Sequence, residues 1–477
     1  MDVTQSSSKG GAQRPARISF DKLRMKTRFS PKVKFFLNNS LVFRLSPWVF
    51  QVFTILVLMK VTLINTSDAG GGAPAASARL LNALRQNGVD TQMLVQYKKT
   101  GNSAVTGIVK DTASNLKANY TFLAERIPFI LFDEEDKTVR FAFSTANAGT
   151  SIVDHLLIKE ADVLHLHWTN SGFLSITDLT ELINTGKPIV WTMHDMWTFT
   201  GGCHYSGACT RFEQECGNCP FLRDPDPNDL SHKGWKRKKN MYTAAKNLTF
   251  VGCSQWLTSV AKQSSLTGRF IMRAIPNPIN VEVFSPQDKI FARAKHGVSA
   301  GAKVILFGAA NINDKRKGIT YLVEALHLLK EDSPENVEIV IFGKNRHFDV
   351  TTLPFAVHQL NIIKDETQLA EVYSMADVFV TTSLEDNLPN MVMEAMACGT
   401  PVVAFNTGGI TEMVDHMQNG YLVPLGSAQG IANGIAAIMA ADHVLLAQNA
   451  RQKVLDNYTN KRVAEQYIQL YNSILQA

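Results

Sequence analysis

The sequence predicts an α/β protein made of two doubly wound parallel sheets that face a cleft. Three observations support this fold class. Apolar runs of strand length alternate with helical segments from Met59 onward, which is typical of parallel sheets connected by helices. A glycine-rich turn follows the first of these strands. A length of 477 residues, with 45% hydrophobic and 19% charged residues, accommodates two domains with ample cores.

The first strand is predicted at 60–65, and the helix after the glycine turn covers 74–87 and ends at Gly88. A strand, a glycine turn and a helix form the layout that lets a ligand approach the backbone, so Gly71 and Gly72 are candidate binding residues. The turn is not GxGxxG, and it indicates a dinucleotide site only weakly. The other strands are predicted at 162–168, 188–192, 303–308, 338–343, 377–382 and 401–405.

The segment Leu384–Thr400, LEDNLPNMVMEAMACGT, joins the last two strands and is the most informative part of the chain. Residues 391–398 are predicted to form a helix that ends at Gly399. Glu394 is expected in the first helical turn, with its carboxylate facing the loop that Asp386 begins. The helix start offers N–H groups to a phosphate, and the two carboxylates could hold sugar and ribose hydroxyls. The spacing alone also fits a solvated loop and a surface glutamate.

A basic turn, Asp314-Lys315-Arg316-Lys317-Gly318, precedes a helix that is predicted to start near Ile319. Three basic residues in a turn are commonly solvated, so the pattern alone leaves their role open.

Three histidines fall in the first domain. His165 and His167 lie on the same side of one strand, either as buried polar residues or as ligands. His194 lies just past the carboxyl end of the next strand, where open α/β sheets place their ligands, although a structural histidine would also fit.

Four of the six cysteines fall within 203–219, with the spacing Cys-x5-Cys-x6-Cys-x2-Cys. This spacing favours a structural zinc site without an open catalytic position. Free thiols and two disulfides stay open as alternatives. The four predicted metal ligands are Cys203, Cys209, Cys216 and Cys219.

Residues 1–58 are unlike the rest of the chain. They carry ten Lys and Arg against two Asp, so the remainder of the protein has a net charge of −2 and shows no nucleic-acid-binding stripe. Their apolar part, 35–58, is interrupted by Arg44 and Pro47 and falls short of the roughly 18 residues of a spanning helix. We interpret 1–58 as a disordered basic extension upstream of a domain that begins near Met59. A membrane-associating arm is the alternative.

The motif that begins at Asp386 resembles the signature of the retaining family-4 glycosyltransferases. That signature is an acidic residue, seven others, and then Glu (here Glu394) followed by Ala-Met-Ala-x-Gly-x-Pro-Val-Val. Asp386 stands where the family usually has Glu. Asn387–Asn390 is similar to a subgroup found in bacterial surface-polysaccharide synthesis. The resemblance runs from about Met59 to the C-terminus.

The resemblance implies the GT-B architecture of two Rossmann-like domains. The implied acceptor-side domain covers 59–285 and contains the Cys-rich insertion. The implied nucleotide-sugar-binding domain covers 286–457, and a last helix within 458–477 packs back on the first domain. The family commonly has an arginine soon after the strand glycine. Here alanines follow Gly308, so Arg316 or Lys315 is the expected substitute.

The implied activity is that of a retaining hexosyltransferase, which moves a sugar from a nucleotide diphosphate donor to a saccharide or lipid-linked acceptor. Lys317 would stabilise the diphosphate, Glu394 would hold the ribose, and His194 would orient the acceptor and the donor sugar. The implied catalytic residues are His194, Asp386 and Lys317. The implied donor-binding residues are Gly71, Gly72, Arg316, Lys317, Asn387, Leu388, Pro389, Asn390 and Glu394.

Two other functions stay open: a GT-B sugar-nucleotide epimerase, and a catalytically silent scaffold that binds a partner through the Cys-rich segment. The aspartate at 386 and the missing arginine favour the scaffold. No cofactor is expected for catalysis, and no nucleic acid is expected as a partner. The expected location is the cytoplasm, with peripheral contact at the inner face of the cytoplasmic membrane left open.

Overall fold

The computed structural model describes residues 59–130, 140–332, 336–345 and 347–476. The basic extension expected at 1–58, with its two interpretations, lies outside the described residues. Within them, strands and helices alternate along the chain and form two parallel sheets, which confirms the α/β class and the two doubly wound domains.

The first domain contains a seven-stranded parallel sheet. Its strands are β1 Lys60–Ser67, β2 Asp90–Tyr97, β3 Val105–Gly107, β4 Val163–Leu166, β5 Ile189–Met193, β6 Leu248–Gly252 and β7 Ile271–Ala274. Their order is β3-β2-β1-β4-β5-β6-β7. Leu63 of β1 lies between Met93 of β2 and His165 of β4. The strand order therefore reverses between β1 and β4, which is the switch point where open sheets bind ligands.

The second domain repeats this arrangement with six strands. They are β8 Lys303–Asn311, β9 Val337–Lys344, β10 Ala356–Leu360, β11 Val378–Thr381, β12 Val402–Phe405 and β13 Gly420–Val423. Their order is β10-β9-β8-β11-β12-β13. Val380 of β11 pairs with Phe307 of β8 and Val403 of β12, so the second switch point lies between β8 and β11.

Helices cover the sheets. Those of the first domain are α1 Gly72–Gln86, α2 Thr112–Pro128, α3 Leu156–Glu160, α4 Ile176–Asn184, α5 Leu230–Thr243 and α6 Gln255–Gln263. They are followed by α7 Lys289–Lys295, α8 Ile319–Asp332, α9 Glu366–Ser374, α10 Asn390–Ala397, α11 Ile410–Met413, α12 Ala428–Ala440, α13 His443–Asn457 and α14 Asn460–Leu475. Among the described residues, no single helix is long and apolar enough to cross a membrane. The sharply bent pair α12 and α13 meets that test only when the two helices are taken together.

Both faces of each sheet are buried, and this explains why the central strands are apolar throughout. In β8, Val304 and Leu306 pack into one hydrophobic core, while Ile305 and Phe307 pack into another. Side chains alternate between the faces of a strand, so these two cores lie on opposite sides of the sheet.

The last helix, α14, packs against α1 of the first domain. Its Tyr471 hydroxyl lies 2.6 Å from Nδ1 of His165, and its Tyr467 hydroxyl lies 2.9 Å from Oγ1 of Thr192. The chain crosses between the domains near Ile279 and again near Tyr458. These two crossings lie side by side, because the Ile279 N–H donates to the Tyr458 carbonyl at 2.9 Å.

The helix α10 begins one residue earlier than predicted. Pro389 immediately precedes it with φ of −67°, and Asn390 is its first residue. Glu394 therefore lies in the second turn, and the prediction that placed it in the first turn was wrong. Because proline fixes its own φ near the helical value, it is well suited to a position just before or at a helix start.

Candidate active site

Loops that follow the strands of the two domains meet at the cleft. The Asn387 side-chain amide of the second domain donates to the carbonyls of Met193 and His194, at 3.3 Å each. Its side-chain oxygen accepts from the Ser254 hydroxyl at 2.6 Å. All three partners lie at or just past strand ends of the first sheet, which is where open sheets bind ligands.

Lys317 and Asp386 form an ion pair at the carboxyl ends of β8 and β11. Nζ of Lys317 lies 2.6 Å from Oδ2 of Asp386 and 3.4 Å from Oγ of Ser383. Burial raises the pKa of Asp386, but the Lys317 and Arg316 cations outweigh burial and hold this pKa below its usual range. Asp386 is therefore a buried, ionised carboxylate.

The turn that carries Lys317 requires glycine at its end. Asp314 caps a short 3₁₀ turn over Lys315–Lys317, and Gly318 follows with φ of +63°. A Cβ at Gly318 would meet the carbonyl oxygen of Thr382 at 2.2 Å. This close approach places Lys317 against the loop that follows β11.

Arg316 lies beside Lys317 and contacts the Cys-rich segment of the first domain. Its guanidinium sits 4.2 Å from the centre of the Tyr205 ring, and its Nη1 donates to the Glu385 carbonyl at 3.3 Å. The Gly207 N–H donates to the Glu385 carboxylate at 3.0 Å. Tyr205 and Glu385 therefore belong to the site, although the sequence reasoning did not select either residue.

Glu394 faces two partners that the sequence reasoning also missed. Its Oε1 accepts from Nη2 of Arg79 at 2.7 Å, and its Oε2 accepts from the Tyr373 hydroxyl at 2.9 Å. Arg79 lies on α1, so this ion pair crosses the cleft. The arrangement separates the two predicted carboxylates, because Asp386 pairs with Lys317 while Glu394 pairs with Arg79.

The glycine turn and the start of α10 meet at the same cleft. The Asn390 side-chain amide donates to the Gly72 carbonyl at 3.1 Å, and Asn277 donates to the Asn390 side-chain oxygen at 3.2 Å. Gly71 has φ of +139°, which favours glycine. Leu388 is buried, and no side chain of the described residues caps the first turn of α10. Its N–H groups thus remain suited to an anion.

His194 is packed against polar groups of its own domain. Its Nε2 lies 3.0 Å from Nδ1 of His167, and its Nδ1 lies 3.6 Å from Sγ of Cys253. Burial lowers the pKa of His194 to about 4, although Asp195 opposes this shift. The imidazole is therefore neutral at pH 7.

Asp195, which follows His194, holds the start of the Cys-rich segment. Its carboxylate lies 2.7 Å from Nδ1 of His204 and accepts from Nε1 of Trp168 at 3.0 Å. Burial raises the pKa of Asp195, but His204 outweighs burial and the pKa is lowered overall. This anchoring places Tyr205, the next residue, at the cleft.

The four clustered cysteines line one cavity and are all free thiols. In the part of the chain that the structure describes, no group of three or more His, Cys, Asp or Glu side chains is arranged to hold a metal ion. The zinc site predicted at Cys203, Cys209, Cys216 and Cys219 is therefore not supported. Burial raises the pKa of Cys216 to about 11 and that of Cys219 to about 12. Sequence spacing limits the distances between sulfurs but does not fix them.

Comparison with known proteins identifies relatives across most of the chain. Residues 302–441 match the family model described as glycosyl transferases group 1. A D-inositol 3-phosphate glycosyltransferase of Paenarthrobacter aurescens is 30% identical over 375 residues, which cover 75% of this chain and 82% of that protein. The putative colanic acid biosynthesis glycosyl transferase WcaC of Escherichia coli is 25% identical over 87% of this chain and 100% of its own length. The chain spans 54% of the N-acetyl-alpha-D-glucosaminyl L-malate synthase of Bacillus anthracis, at 25% identity over 43% of this chain.

Solved structures share the two-domain fold at low sequence identity. Sucrose-phosphate synthase from Thermosynechococcus elongatus superposes with a TM-score of 0.62, at 20% identity, over 88% of this chain and 99% of its own. HepE of Anabaena in complex with UDP-glucose superposes with a TM-score of 0.58, at 16% identity, over 87% of this chain and 100% of its own. These likenesses concern the arrangement of the two sheets and their helices.

Proposed function

Because this chain belongs to the group 1 glycosyltransferases and has the GT-B fold, we propose that it is a retaining enzyme that transfers a sugar from a nucleotide diphosphate donor to a saccharide acceptor. The proposed acceptor is lipid-linked, and the proposed product is a cell-surface polysaccharide. HepE, which shares the fold, was crystallised with UDP-glucose, and this supports a nucleotide diphosphate donor. WcaC is named for colanic acid biosynthesis, and this supports the polysaccharide product.

The cluster of Lys317, Arg316 and Asp386 carries this proposal. Lys317 and Arg316 both act on the buried Asp386 carboxylate, and Arg316 also pairs with Asp314 at 3.4 Å. These contacts fix both cations at the cleft, where their remaining N–H groups suit a diphosphate. As the sugar leaves, negative charge grows on the diphosphate, and fixed cations in a buried site stabilise that charge strongly. Lys317 would take the leaving phosphate, while Asp386 would then accept hydrogen bonds from the donor sugar.

The remaining residues fit roles around this cluster. Glu394 would hold the ribose hydroxyls. The Gly72 turn and the first N–H groups of α10, beginning at Asn390, would face the phosphates. The neutral imidazole of His194 would orient the acceptor, and the backbone at Asn387 would hold the donor sugar against the first domain.

A donor assay with matched variants tests this assignment. Purified protein is screened by thermal shift against UDP-, GDP- and ADP-sugars, and the best ligand is then assayed for transfer and hydrolysis. We expect Lys317→Met to lower kcat by roughly 10²–10³, the loss seen when one charge-stabilising group is removed. Asp386→Asn should raise the KM for the donor, because an amide accepts fewer hydrogen bonds from sugar hydroxyls than a carboxylate does. Lys330→Met removes the same charge at an exposed position on α8 and serves as the control.

Undiminished turnover in Lys317→Met would remove the cluster from the donor site. The other two functions have their own signatures. No nucleotide-sugar binding by the wild-type protein would favour the silent scaffold, and conversion of the free donor to its epimer without acceptor would favour the epimerase.

An exposed apolar stripe on α2 supports a membrane-bound acceptor. Leu116, Tyr120, Leu123 and Ile127 follow the helical repeat of three and four residues, and each is between 43% and 71% exposed. The exposed Lys117 lies on the same helix. A stripe of this kind with adjacent positive charge suits the surface of an anionic membrane.

Vesicle sedimentation tests the membrane contact. Leu116→Ser with Leu123→Ser should release the protein from vesicles that contain phosphatidylglycerol and leave turnover of a soluble acceptor unchanged. Val444→Ser with Leu445→Ser removes two equally exposed apolar side chains from α13 and is the control. Equal release by both double variants would argue against α2 as the contact.

A further inference from the structure

An ion pair links the two domains at the carboxylate that the proposed function assigns to the ribose. Nη2 of Arg79, on α1 of the first domain, lies 2.7 Å from Oε1 of Glu394, on α10 of the second. Their side chains are 7% and 6% exposed, respectively. Ion pairs of this kind are strong only when geometry and further hydrogen bonds offset the cost of burial, so the surroundings of the pair decide its role.

Arg79 is held on three sides. Its Nε and Nη2 donate to Oε1 of Glu366 at 3.0 and 2.7 Å, and its guanidinium lies 4.9 Å from the centre of the Phe284 ring. Burial lowers the pKa of Arg79, but Glu394 and Glu366 outweigh burial and raise this pKa overall. The side chain is a permanent cation in a fixed orientation.

One nitrogen of the guanidinium lacks a partner among the described residues. Nη1 of Arg79 is buried and has no hydrogen-bond acceptor in the part of the chain that the structure describes. Buried polar atoms are almost always hydrogen-bonded, and an unpaired charged donor is especially costly. This unpaired donor lies beside Glu394, the carboxylate assigned to the ribose. Its position therefore indicates that the bound ligand supplies the missing acceptor.

Glu394 offers lone pairs that complement the unpaired donor of Arg79. A carboxylate offers about four lone-pair sites, and Arg79 and the Tyr373 hydroxyl occupy one on each oxygen. Within the described residues no other donor contacts this carboxylate, so two sites remain, which match two neighbouring hydroxyl donors. A phosphate cannot fill them, because it would be repelled by the carboxylate. A sugar hydroxyl both donates and accepts, so it can satisfy Glu394 and Nη1 of Arg79 at once.

We propose that Arg79 is a positioning residue that the first domain supplies to the nucleotide site. Its Nη2 fixes the Glu394 carboxylate toward the ribose hydroxyls, and its Nη1 donates to a ribose hydroxyl oxygen. Because Arg79 and Glu394 belong to different domains, the ribose is held firmly only when the cleft is closed. This inference rests on the proposed function, since it assumes a nucleotide donor on the second domain.

The test measures how Arg79 and the ribose 2′-hydroxyl depend on each other. UDP, GDP and ADP are titrated calorimetrically into the wild-type protein, and the tightest binder is compared with its 2′-deoxy form. We expect the wild type to bind the deoxy form at least tenfold more weakly, since a hydrogen bond to a charged group contributes roughly that factor or more. In Arg79→Met, the ribose form should weaken and the two forms should differ by less than about threefold.

Glu366→Gln is the matched control, because it removes the other carboxylate partner of Arg79 and leaves the contact with Glu394 in place. It should keep the wild-type preference for ribose. If Arg79→Met does not fold by circular dichroism, Arg79→Gln replaces it with the same expectation.

Equal weakening of both nucleotide forms in the Arg79 variant would mean a purely structural interdomain contact and would overturn the inference, while the proposed function would stand. If no nucleotide binds the wild type, the proposed function itself fails, and the inference fails with it.

Discussion

At the scale of single residues, the site depends on which cation each carboxylate meets. Asp386 and Glu394 are eight positions apart, yet one pairs with Lys317 of its own domain and the other with Arg79 of the opposite domain. Local spacing indicated that the two acids belong to one loop and helix. It could not indicate Arg79, which is 315 positions from Glu394.

Gly318 offers a test of the turn that positions Lys317. Its φ of +63° strains any other residue, and a Cβ would meet the Thr382 carbonyl at 2.2 Å. We expect Gly318→Ala to lower the free energy of unfolding by roughly 1–3 kcal/mol and to lower kcat, because the turn must shift and take Lys317 with it.

Gly88→Ala is the control for this prediction. Gly88 has φ of +82°, but a Cβ there would meet no atom of the described residues within 4 Å. It should therefore show the backbone strain alone, about 1 kcal/mol, with unchanged kcat. Urea denaturation measures the free energy of unfolding of both variants, and steady-state assays measure their kcat. Equal kcat values for the two variants would mean that the approach to Thr382 does not position Lys317.

At the scale of elements, the sequence predicted the alternation of strands and helices because apolar runs and glycine stops are local signals. The strand predicted at 60–65 extends to Ser67, and α10 starts at Asn390 rather than at the residue after it. Such ends depend on hydrogen bonds to neighbouring elements, which a single chain segment does not reveal. Arg79 is distant from Glu394 in sequence, but it is locally unusual. It is a charged residue on the buried side of α1, between Ala76 and Ala83.

The last helix is an element whose contribution can be measured. The Tyr471 hydroxyl is the partner of Nδ1 of the fully buried His165. We expect Tyr471→Phe to lower the free energy of unfolding by about 1–3 kcal/mol, because it leaves a buried ring nitrogen unpaired. Tyr321→Phe, on the less buried α8, is the control and should change stability by less than about 0.5 kcal/mol. Similar losses in both variants would show that the bond to His165 is not what anchors α14.

At the scale of the whole molecule, several polar contacts cross the cleft. Arg79 meets Glu394, Asn387 meets the His194 carbonyl, and the Glu412 carboxylate accepts from the backbone N–H groups of Gln255 and Trp256 at the start of α6. An interface of this kind resembles a transient one, so opening and closing of the domains is the default expectation. No pattern within either domain could have predicted these pairs, since each joins residues far apart in sequence.

The stability of the first domain should depend on pH through its buried histidines. Burial lowers the pKa of His165 to about 3 and that of His194 to about 4, and it holds that of His167 well below its usual value. An unfolded histidine has a pKa of about 6.5, so below that pH the unfolded chain binds more protons than the folded one. Stability is therefore fully present above about pH 6.5 and falls as the pH drops toward 4.

We expect the free energy of unfolding to fall by about 1.4 kcal/mol for each such histidine between pH 7.5 and 5.5. Tryptophan fluorescence during urea denaturation reports on this domain, because every tryptophan after residue 58 precedes residue 286. His165→Asn should reduce the difference between the two pH values by about 1.4 kcal/mol, whatever its effect on stability at pH 7.5. Gln96→Ala, at a buried position of β2 without an ionisable side chain, should leave that difference unchanged. An unaltered difference in His165→Asn would mean that this histidine binds its proton as readily in the folded protein as in the unfolded chain.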